Sequence, residues 1–377
     1  MEPDPTKKKI LFILGTRPEA IKFAPLIHTI RQDGHFNSVV CFTGQHKEML
    51  HQTADFFDLK NDYDLALMVP HQTLVDFVAR SLTSIYELIE KEKPDLVFVQ
   101  GDTSTVFSAS LAAFYNKTQI AHLEAGLRSG DKYSPFPEEI NRVLSSRLAD
   151  FHFAPTALAQ QNLQSEGIIK NVFIVGNTVI DALFLCLKIL RSKGEENYFR
   201  KFPGLDFSQK IILITCHRRE NFGPPLLDIL DAFKEFAIQH PSVQLVYPVH
   251  LNPQIHDVAY RQLSGIANIF LTAPLEYPSL IWLMNRSHFV VTDSGGIQEE
   301  APSLGKPVLV LREVTERVES VEAGTAILVG SDKQKIAFEM NRLCEDEDYY
   351  LSFKKNQNAY GDGTASQKIL AILKAHL

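Results

Sequence analysis

Residues 288–317 read HFVVTDSGGIQEEAPSLGKPVLVLREVTER, and this stretch constrains the fold more than any other. The run Phe289-Val290-Val291 has the β-branched bias of a buried strand. Asp293-Ser294-Gly295-Gly296 then turns the chain, and residues 297–304 form a helix opening on Glu299 and Glu300. Gly305-Lys306-Pro307 stops that helix before the next strand at 308–311. A strand, a helix and a second strand in so short a space imply parallel strands joined by a crossover. Adjacent glycines also let a ligand approach the backbone, because no Cβ stands in the way. The N–H groups that open the following helix suit a phosphate. A tight turn that binds nothing uses the same residues, so the rest of the chain has to decide.

The same unit recurs. Strands are expected at 9–14, 38–42, 94–100, 119–124 and 171–175, with helices between them. A second series begins at 210–215 and continues at 243–247, 289–291, 308–311 and 325–329. Pro18 suits the first turn of a helix running to about residue 31, whereas Pro25 predicts a kink. The charged stretch 190–209 places the domain linker there or slightly before it. Asp62-Tyr63-Asp64 has the shape of a metal–diphosphate motif, but three residues are weak support, and it reads as loop. Residues 366–377 form a helix with Ile369, Leu370 and Leu373 on one face. The expected class is α/β, doubly wound.

A length of 377 residues favours two domains, and a net charge of −7 argues against a nucleic-acid coat. Cys41, Cys186, Cys216 and Cys344 have neither metal-finger nor redox spacing, which predicts reduced thiols in a cytoplasmic protein. Residues 1–9 are polar and lack the apolar core of a signal peptide, and no run reaches membrane-spanning length. Neither G-x-G-x-x-G, nor the P-loop sequence, nor H-E-x-x-H occurs.

The ionisable residues fall where strands end, the rim at which open α/β sheets bind ligands. Asp102, Glu124, Glu138, His217 and His250 all sit there. Each has a structural alternative. Asp102 can cap the helix after GDTST, Glu124 can pair with Arg128, and Glu138 can pair with Arg142. Residues 138–148 are expected to bury Ile140, Val143, Leu144 and Leu148. His217-Arg218-Arg219-Glu220-Asn221, directly after a strand, favours an anion site over a solvated charge run. His250 suits a structural histidine as well as a ligand contact. Three carboxylates and a histidine on one rim are harder to dismiss together than singly.

Together the motifs resemble the non-hydrolysing UDP-N-acetylglucosamine 2-epimerases. The matching elements are GTRPEAIKFAPLI from Gly15, GDTSTV from Gly101, HLEAGLRS from His122, PFPEEINR from Pro135 and GNTVID from Gly176. CHRRENFG from Cys216, PVHLNP from Pro248 and the long segment from Thr292 follow in the family's order. The resemblance implies two Rossmann-like domains facing a cleft, as in GT-B proteins: 1–185, and a nucleotide-binding 186–362. The C-terminal helix, 363–377, would return to the first. It implies interconversion of UDP-GlcNAc and UDP-ManNAc by elimination of UDP to a 2-acetamidoglucal and re-addition. It also implies no metal or redox cofactor, no nucleic-acid or membrane partner, and a homodimer. By matching motif, Asp102, Glu124, Glu138 and His217 are the catalytic positions. Arg17, Ser294, Gly295 and Gly296 match diphosphate contacts and Glu300 a ribose contact. Lys22, His250 and Arg317 match other positions around the substrate.

Four rival readings remain: the hydrolysing epimerase that releases ManNAc, an epimerase of a UDP-2,3-diacetamido-uronic acid, a GT-B glycosyltransferase, and a non-catalytic UDP-sugar-binding regulator. The ionisable residues at all four catalytic positions argue against the last.

One departure matters. Bacterial members are often activated by a second UDP-GlcNAc, bound through a Gln-His segment with a further Gln, and through an Arg before Gln-Thr. Here these read Gln45-His46-Lys47-Glu48 and His71-Gln72-Thr73, so Gln45, His46 and Gln72 are kept while the further Gln and the Arg are not. A Glu facing a diphosphate is unfavourable unless it is protonated or paired. The expectation is weak or absent substrate activation, or a modified substrate. Initial rates should then rise hyperbolically with UDP-GlcNAc, and a strongly sigmoidal curve would overturn this.

Overall fold

The computed structural model describes residues 4–45, 47–356 and 358–377. The chain forms two compact units, Met1–Leu185 with Tyr360–Leu377, and Cys186–Ala359. Both are parallel α/β units of Rossmann-like order.

Unit 1 carries strands β1 (Lys9–Leu14), β2 (Asn37–Phe42), β3 (Tyr63–Asp64), β4 (Leu96–Gln100), β5 (Gln119–Leu123), β6 (Phe151–Ala154) and β7 (Val172–Ile174). They lie in the order β3-β2-β1-β4-β5-β6-β7, every pair parallel. The apolar runs are continuous because both faces of the sheet are covered. On one face Phe12 stacks on Phe98 at 5.4 Å between ring centres, and Phe23 of the helix Arg17–Asp33 meets both edge-on. On the other, Leu11, Ile13, Val97 and Val99 pack with the helices Leu74–Glu92 and Ser104–Tyr115.

Unit 2 carries β8 (Lys210–Thr215), β9 (Val243–Pro248), β10 (Ile269–Thr272), β11 (Phe289–Thr292), β12 (Val308–Val310) and β13 (Ala326–Leu328). Their order is β10-β9-β8-β11-β12-β13, again all parallel. In both sheets the order reverses between two central strands, β1/β4 and β8/β11. Open α/β sheets leave a crevice beyond the strand ends at such a reversal.

Several local expectations are corrected. Asp62-Tyr63-Asp64 is not loop. Tyr63–Asp64 pairs with β2, and Asp62 accepts the Val40 N–H at 2.8 Å. Strands β6 and β10 were not expected. The helix Arg17–Asp33 runs through Pro25 to about its expected end. The glycine turn of 293–296 is shorter than expected, because the helix Gly295–Glu300 takes both glycines into its first turn. At Ala301–Leu304, which contains Pro302, it tightens to a 3-10 turn. The helix Glu138–Leu148 buries only part of the face expected to be buried: Ile140 and Leu144 are exposed and Val143 and Leu148 half-buried, while Glu139, Asn141, Ser145 and Ser146 are buried. Its inner face is polar because it binds loops, with Glu139 accepting the Ser129 and Gly130 N–H groups. The stretch 190–209 belongs to unit 2, where Tyr198, Phe199, Phe202 and Phe207 surround Trp282. Among the described residues no helix is long and apolar enough to cross a membrane.

The helix Ala365–His376 packs on the helix Arg17–Asp33, with Lys374 paired to Asp33 at 2.5 Å. Buried Asp181 accepts the N–H groups of Ala365 at 3.2 Å and Ser366 at 2.8 Å, satisfying donors that open the helix. Asp181→Ala strands both donors, at a cost of about 1–3 kcal/mol. A lower melting temperature with faster amide exchange across 365–376 is the expected result, and unchanged exchange there would refute this fastening.

Candidate active site

In unit 1 the first loop of the rim is Gly15-Thr16-Arg17, directly after β1. Glu19, buried in the first helical turn, reaches back so that its Oε2 accepts the N–H groups of Gly15 and Thr16. Its Oε1 accepts the Thr103 hydroxyl at 2.6 Å, which joins this loop to the one after β4. A Cβ on Gly15 would collide with the hydroxyls of Thr105 and Thr43, so the loop is packed too closely for any larger residue. Arg17 stands exposed at the mouth of the helix.

The loop after β4 holds Asp102. It does not cap the next helix, because Thr103 does so by accepting the Val106 N–H. Instead Arg142 Nε donates to Asp102 Oδ2 at 2.7 Å, and Asn141 donates to the Asp102 carbonyl at 2.9 Å. Arg142 also pairs with Glu139 at 3.0 Å, not with Glu138 as the sequence spacing allowed. Glu138 Oε2 is buried without a hydrogen-bond partner among the described residues.

Glu124 follows β5 and is the most constrained of the candidates. Its φ is +64°, a left-handed conformation that costs a non-glycine residue free energy and is found mostly where the surroundings impose it. The alternative pairing with Arg128 does not form, because Arg128 binds Glu166 at 2.6 Å. Glu124 Oε2 accepts from Lys22 Nζ and Gln100 Nε2, and its Oε1 lies 3.4 Å from Asn177 Nδ2. Asn177 is itself fixed by its N–H to the Tyr360 carbonyl at 2.7 Å. Buried His122 bonds the Gly101 carbonyl at 2.7 Å, and burial lowers its pKa to about 4, so it is a neutral prop behind the Asp102 loop.

The candidate activator residues are partly engaged. Gln45 accepts from the Thr105 hydroxyl at 2.8 Å, and Gln72 accepts from Arg80. A cavity of about 480 Å³ lies beside Gln72, lined by Gly44, Ala66, Met68 and His71. His46 lies outside the described residues.

In unit 2 the rim is organised by Asp293, fully buried at the end of β11. Its Oδ2 accepts the N–H groups of His217 at 2.8 Å and Arg218 at 2.7 Å, and Asn221 Nδ2 at 3.2 Å. Burial alone would raise its pKa, but His217 and these donors hold it below the ordinary carboxylate range. His217 is 43% exposed, and its ring lies parallel to that of His250, 5.8 Å away. Arg312 holds Glu220 at 2.5 Å and Glu316 at 2.6 Å, so the charged loop 217–221 is cross-linked rather than freely solvated.

Ser294 precedes the helix whose first residues are Gly295 and Gly296. A Cβ on Gly295 would press on the Arg317 guanidinium at 3.4 Å, so the glycine makes room for this cation over the turn. Arg317 is oriented by buried Glu299 at 2.7 Å. Glu300 is buried and accepts the Tyr277 hydroxyl at 2.8 Å.

The candidate residues thus gather on two rims. Arg17, Lys22, Asp102, Glu124 and Glu138 lie in unit 1, and His217, His250, Ser294, Gly295, Gly296, Glu300 and Arg317 in unit 2. Sequence reasoning missed Glu19, Gln100, Asn177, Asp293 and Arg312. The one available signal was that each lies inside or beside a recognised motif. Among the described residues no group of His, Cys, Asp and Glu is arranged to hold a metal ion.

Burial, opposed by its three hydrogen bonds, raises the Glu19 pKa from 4.5 to about 7. The folded chain therefore binds this proton more tightly than the unfolded chain does. The resulting stability is present below about pH 4.5 and is lost as pH rises to about 7, on the order of 3 kcal/mol in all. Urea unfolding at pH 5 and pH 8 should show this fall, and Glu19→Gln should remove most of it. An equal fall in the variant would assign the effect elsewhere.

Comparison with known proteins identifies relatives along nearly the whole chain. Residues 28–374 match the family model described as UDP-N-acetylglucosamine 2-epimerase. The chain is 49% identical to the UDP-N-acetylglucosamine 2-epimerase of Yersinia pestis over 371 residues, 98% of this chain and 99% of that one. It is 48% identical to the Escherichia coli K12 enzyme of the same name over 373 residues, 97% of this chain and 98% of that one. The crystal structure of UDP-GlcNAc 2-epimerase from Neisseria meningitidis bound to UDP-GlcNAc is 46% identical, with a TM-score of 0.90 over 98% of this chain and 100% of that one. A match of this extent, over nearly the whole chain, places the chain in the UDP-N-acetylglucosamine 2-epimerase family.

Proposed function

We propose that the protein is a non-hydrolysing epimerase that interconverts UDP-GlcNAc and UDP-ManNAc. The observation that carries the reading is Glu124, a buried carboxylate held in a left-handed backbone conformation by Lys22, Gln100 and Asn177. A structural ion pair needs no such strain, whereas an acid–base group benefits from fixed geometry.

The proton at C2 of the sugar is not next to a carbonyl, so removing it alone leaves an unstabilised carbanion. Elimination avoids this. A carboxylate takes the C2 proton, the C–H pair becomes the C1=C2 double bond, and the C1–O bond breaks with its electrons on the departing UDP. Re-addition of the UDP oxygen to C1, with a proton delivered to the other face of C2, gives the epimer. The overall reaction consumes nothing and needs acid–base groups and a firm hold on UDP.

The residues suit these tasks. Glu138 keeps a carboxylate oxygen with no partner among the described residues and is the candidate base on one face. Asp102, held by Arg142, and Glu124, held by Lys22, are the candidates for the other. Arg17, Arg317 and the N–H groups at Ser294, Gly295 and Gly296 would hold the diphosphate, with His217 and His250 at the leaving oxygen. Glu300, already oriented by Tyr277, would take the ribose. The reading includes a cytoplasmic homodimer.

Proton NMR of the protein with UDP-GlcNAc in D2O is the test. Deuterium should enter at C2 while UDP-ManNAc grows to a steady ratio. Free ManNAc and UDP accumulating to completion would mark the hydrolysing reaction instead. No change over hours would overturn the substrate and bring the diacetamido-uronate nucleotide forward. Glu124→Gln should lower turnover about 10²–10⁴-fold, and unchanged turnover removes Glu124 from the chemistry.

A further inference from the structure

We infer that Asp293 is a positioning residue that fixes the tautomer of His217. This rests on the reading of His217 as a group acting at the leaving diphosphate.

The two oxygens of Asp293 are in different situations. Oδ2 accepts from the main chain of His217 and Arg218 and from Asn221, at 2.7–3.2 Å. Oδ1 is buried and has no ordinary hydrogen bond among the described residues. His217 Nδ1 lies 3.2 Å away at an angle too bent for a full hydrogen bond, and the buried Cys216 thiol, a weak donor, also lies against this carboxylate. A buried carboxylate oxygen left without a donor is unfavourable, and a small rotation of the half-exposed ring supplies one. The neutral imidazole therefore carries its proton on Nδ1. Nε2, on the opposite edge of the ring, is left to exchange a proton with a ligand.

The neighbouring histidine is set the other way. His250 Nδ1 accepts the Asn252 N–H at 3.1 Å, which places its proton on Nε2. The two parallel rings thus stand side by side as opposite tautomers, one offering a lone pair and the other an N–H. Arg218, the next residue in this loop, is directed to Glu316 at 3.8 Å. No other carboxylate contacts the His217 ring among the described residues.

Asp293→Asn makes the consequence specific. Three donors face Oδ2, so the amide oxygen stays with them and the loop keeps its hydrogen bonds. The NH2 group must then face His217 Nδ1, which has to accept and so moves the imidazole proton to Nε2. The fold survives while the tautomer inverts, the same logic by which a triad aspartate orients its histidine.

The test has two arms. In the first, long-range 1H–15N spectra of the labelled full chain, with the His217 signals assigned through His217→Asn, should show the proton on Nδ1 in the native protein and on Nε2 in Asp293→Asn. A native protein with its proton on Nε2 overturns the inference, whether or not the variant folds. The second arm follows epimerisation. Asp293→Asn should lower kcat about 10²–10⁴-fold with KM changed less than about threefold, and the double variant with His217→Asn should be no slower than His217→Asn alone. Multiplying losses, or native kcat in Asp293→Asn, overturn it. Because the tautomer is read without substrate, inactivity of the native protein toward UDP-GlcNAc counts against the proposed reaction and leaves the first arm to decide.

Discussion

Each sheet of this protein is stitched at its reversal point by one buried carboxylate. Where β1 and β4 part, Glu19 takes two N–H groups from the loop after β1 and a hydroxyl from the loop after β4. Where β8 and β11 part, Asp293, from the loop after β11, takes two N–H groups from the loop after β8. Parallel strands leave their last N–H groups without ladder partners, and a reversal leaves a gap in which no neighbouring loop supplies them. A carboxylate answers both needs, since it accepts several bonds at once and bridges two loops. The candidate site residues Arg17, Asp102, His217 and Ser294 all lie on loops held in this way or directly beside them.

Rigidity at the rim then spreads outward through polar contacts rather than apolar packing. Arg142 fixes Asp102 and Glu139 together, and Glu139 fixes the loop at Ser129 and Gly130. Arg312 does comparable work between Glu220 and Glu316, where its charge overrides the effect of burial and lowers the Glu316 pKa to about 2. The apolar layers below supply the net driving force for folding, whereas these networks determine which geometry is reached.

Much of this was legible from the chain. The ten strands with β-branched or aliphatic runs formed, because a strand buried on both faces needs continuous apolar residues. The missed ones, β3, β6 and β10, span two to four residues, too short for periodicity to mark them, although Ile269-Phe270-Leu271-Thr272 has the composition of a strand. The rim candidates were legible for a topological reason: in a parallel sheet every strand delivers its last residue to the same edge. Their partners were not. Gln100, Asn177, Glu19 and Asp293 act across gaps of 24, 53, 84 and 76 residues, where no local spacing rule applies. The helix Glu138–Leu148 shows the complementary failure. Its apolar periodicity is real, but its polar side has loops to bind and is the side that is buried.

The return of residues 360–377 to unit 1 has a consequence for how the chain is made. Synthesis delivers Met1–Leu185 well before Tyr360, yet Asn177 takes its main-chain partner from Tyr360, and the helix Ala365–His376 is fastened by Asp181. Until the whole of Cys186–Ala359 has been added, the nascent first unit has neither contact. It emerges from the ribosome as an unfinished domain, with Asn177, and with it one of the groups on Glu124, still awaiting its anchor. The final geometry around that carboxylate is therefore a late event in the life of each molecule, tied to the synthesis of residues 360–377 rather than to the folding of the segment that carries it.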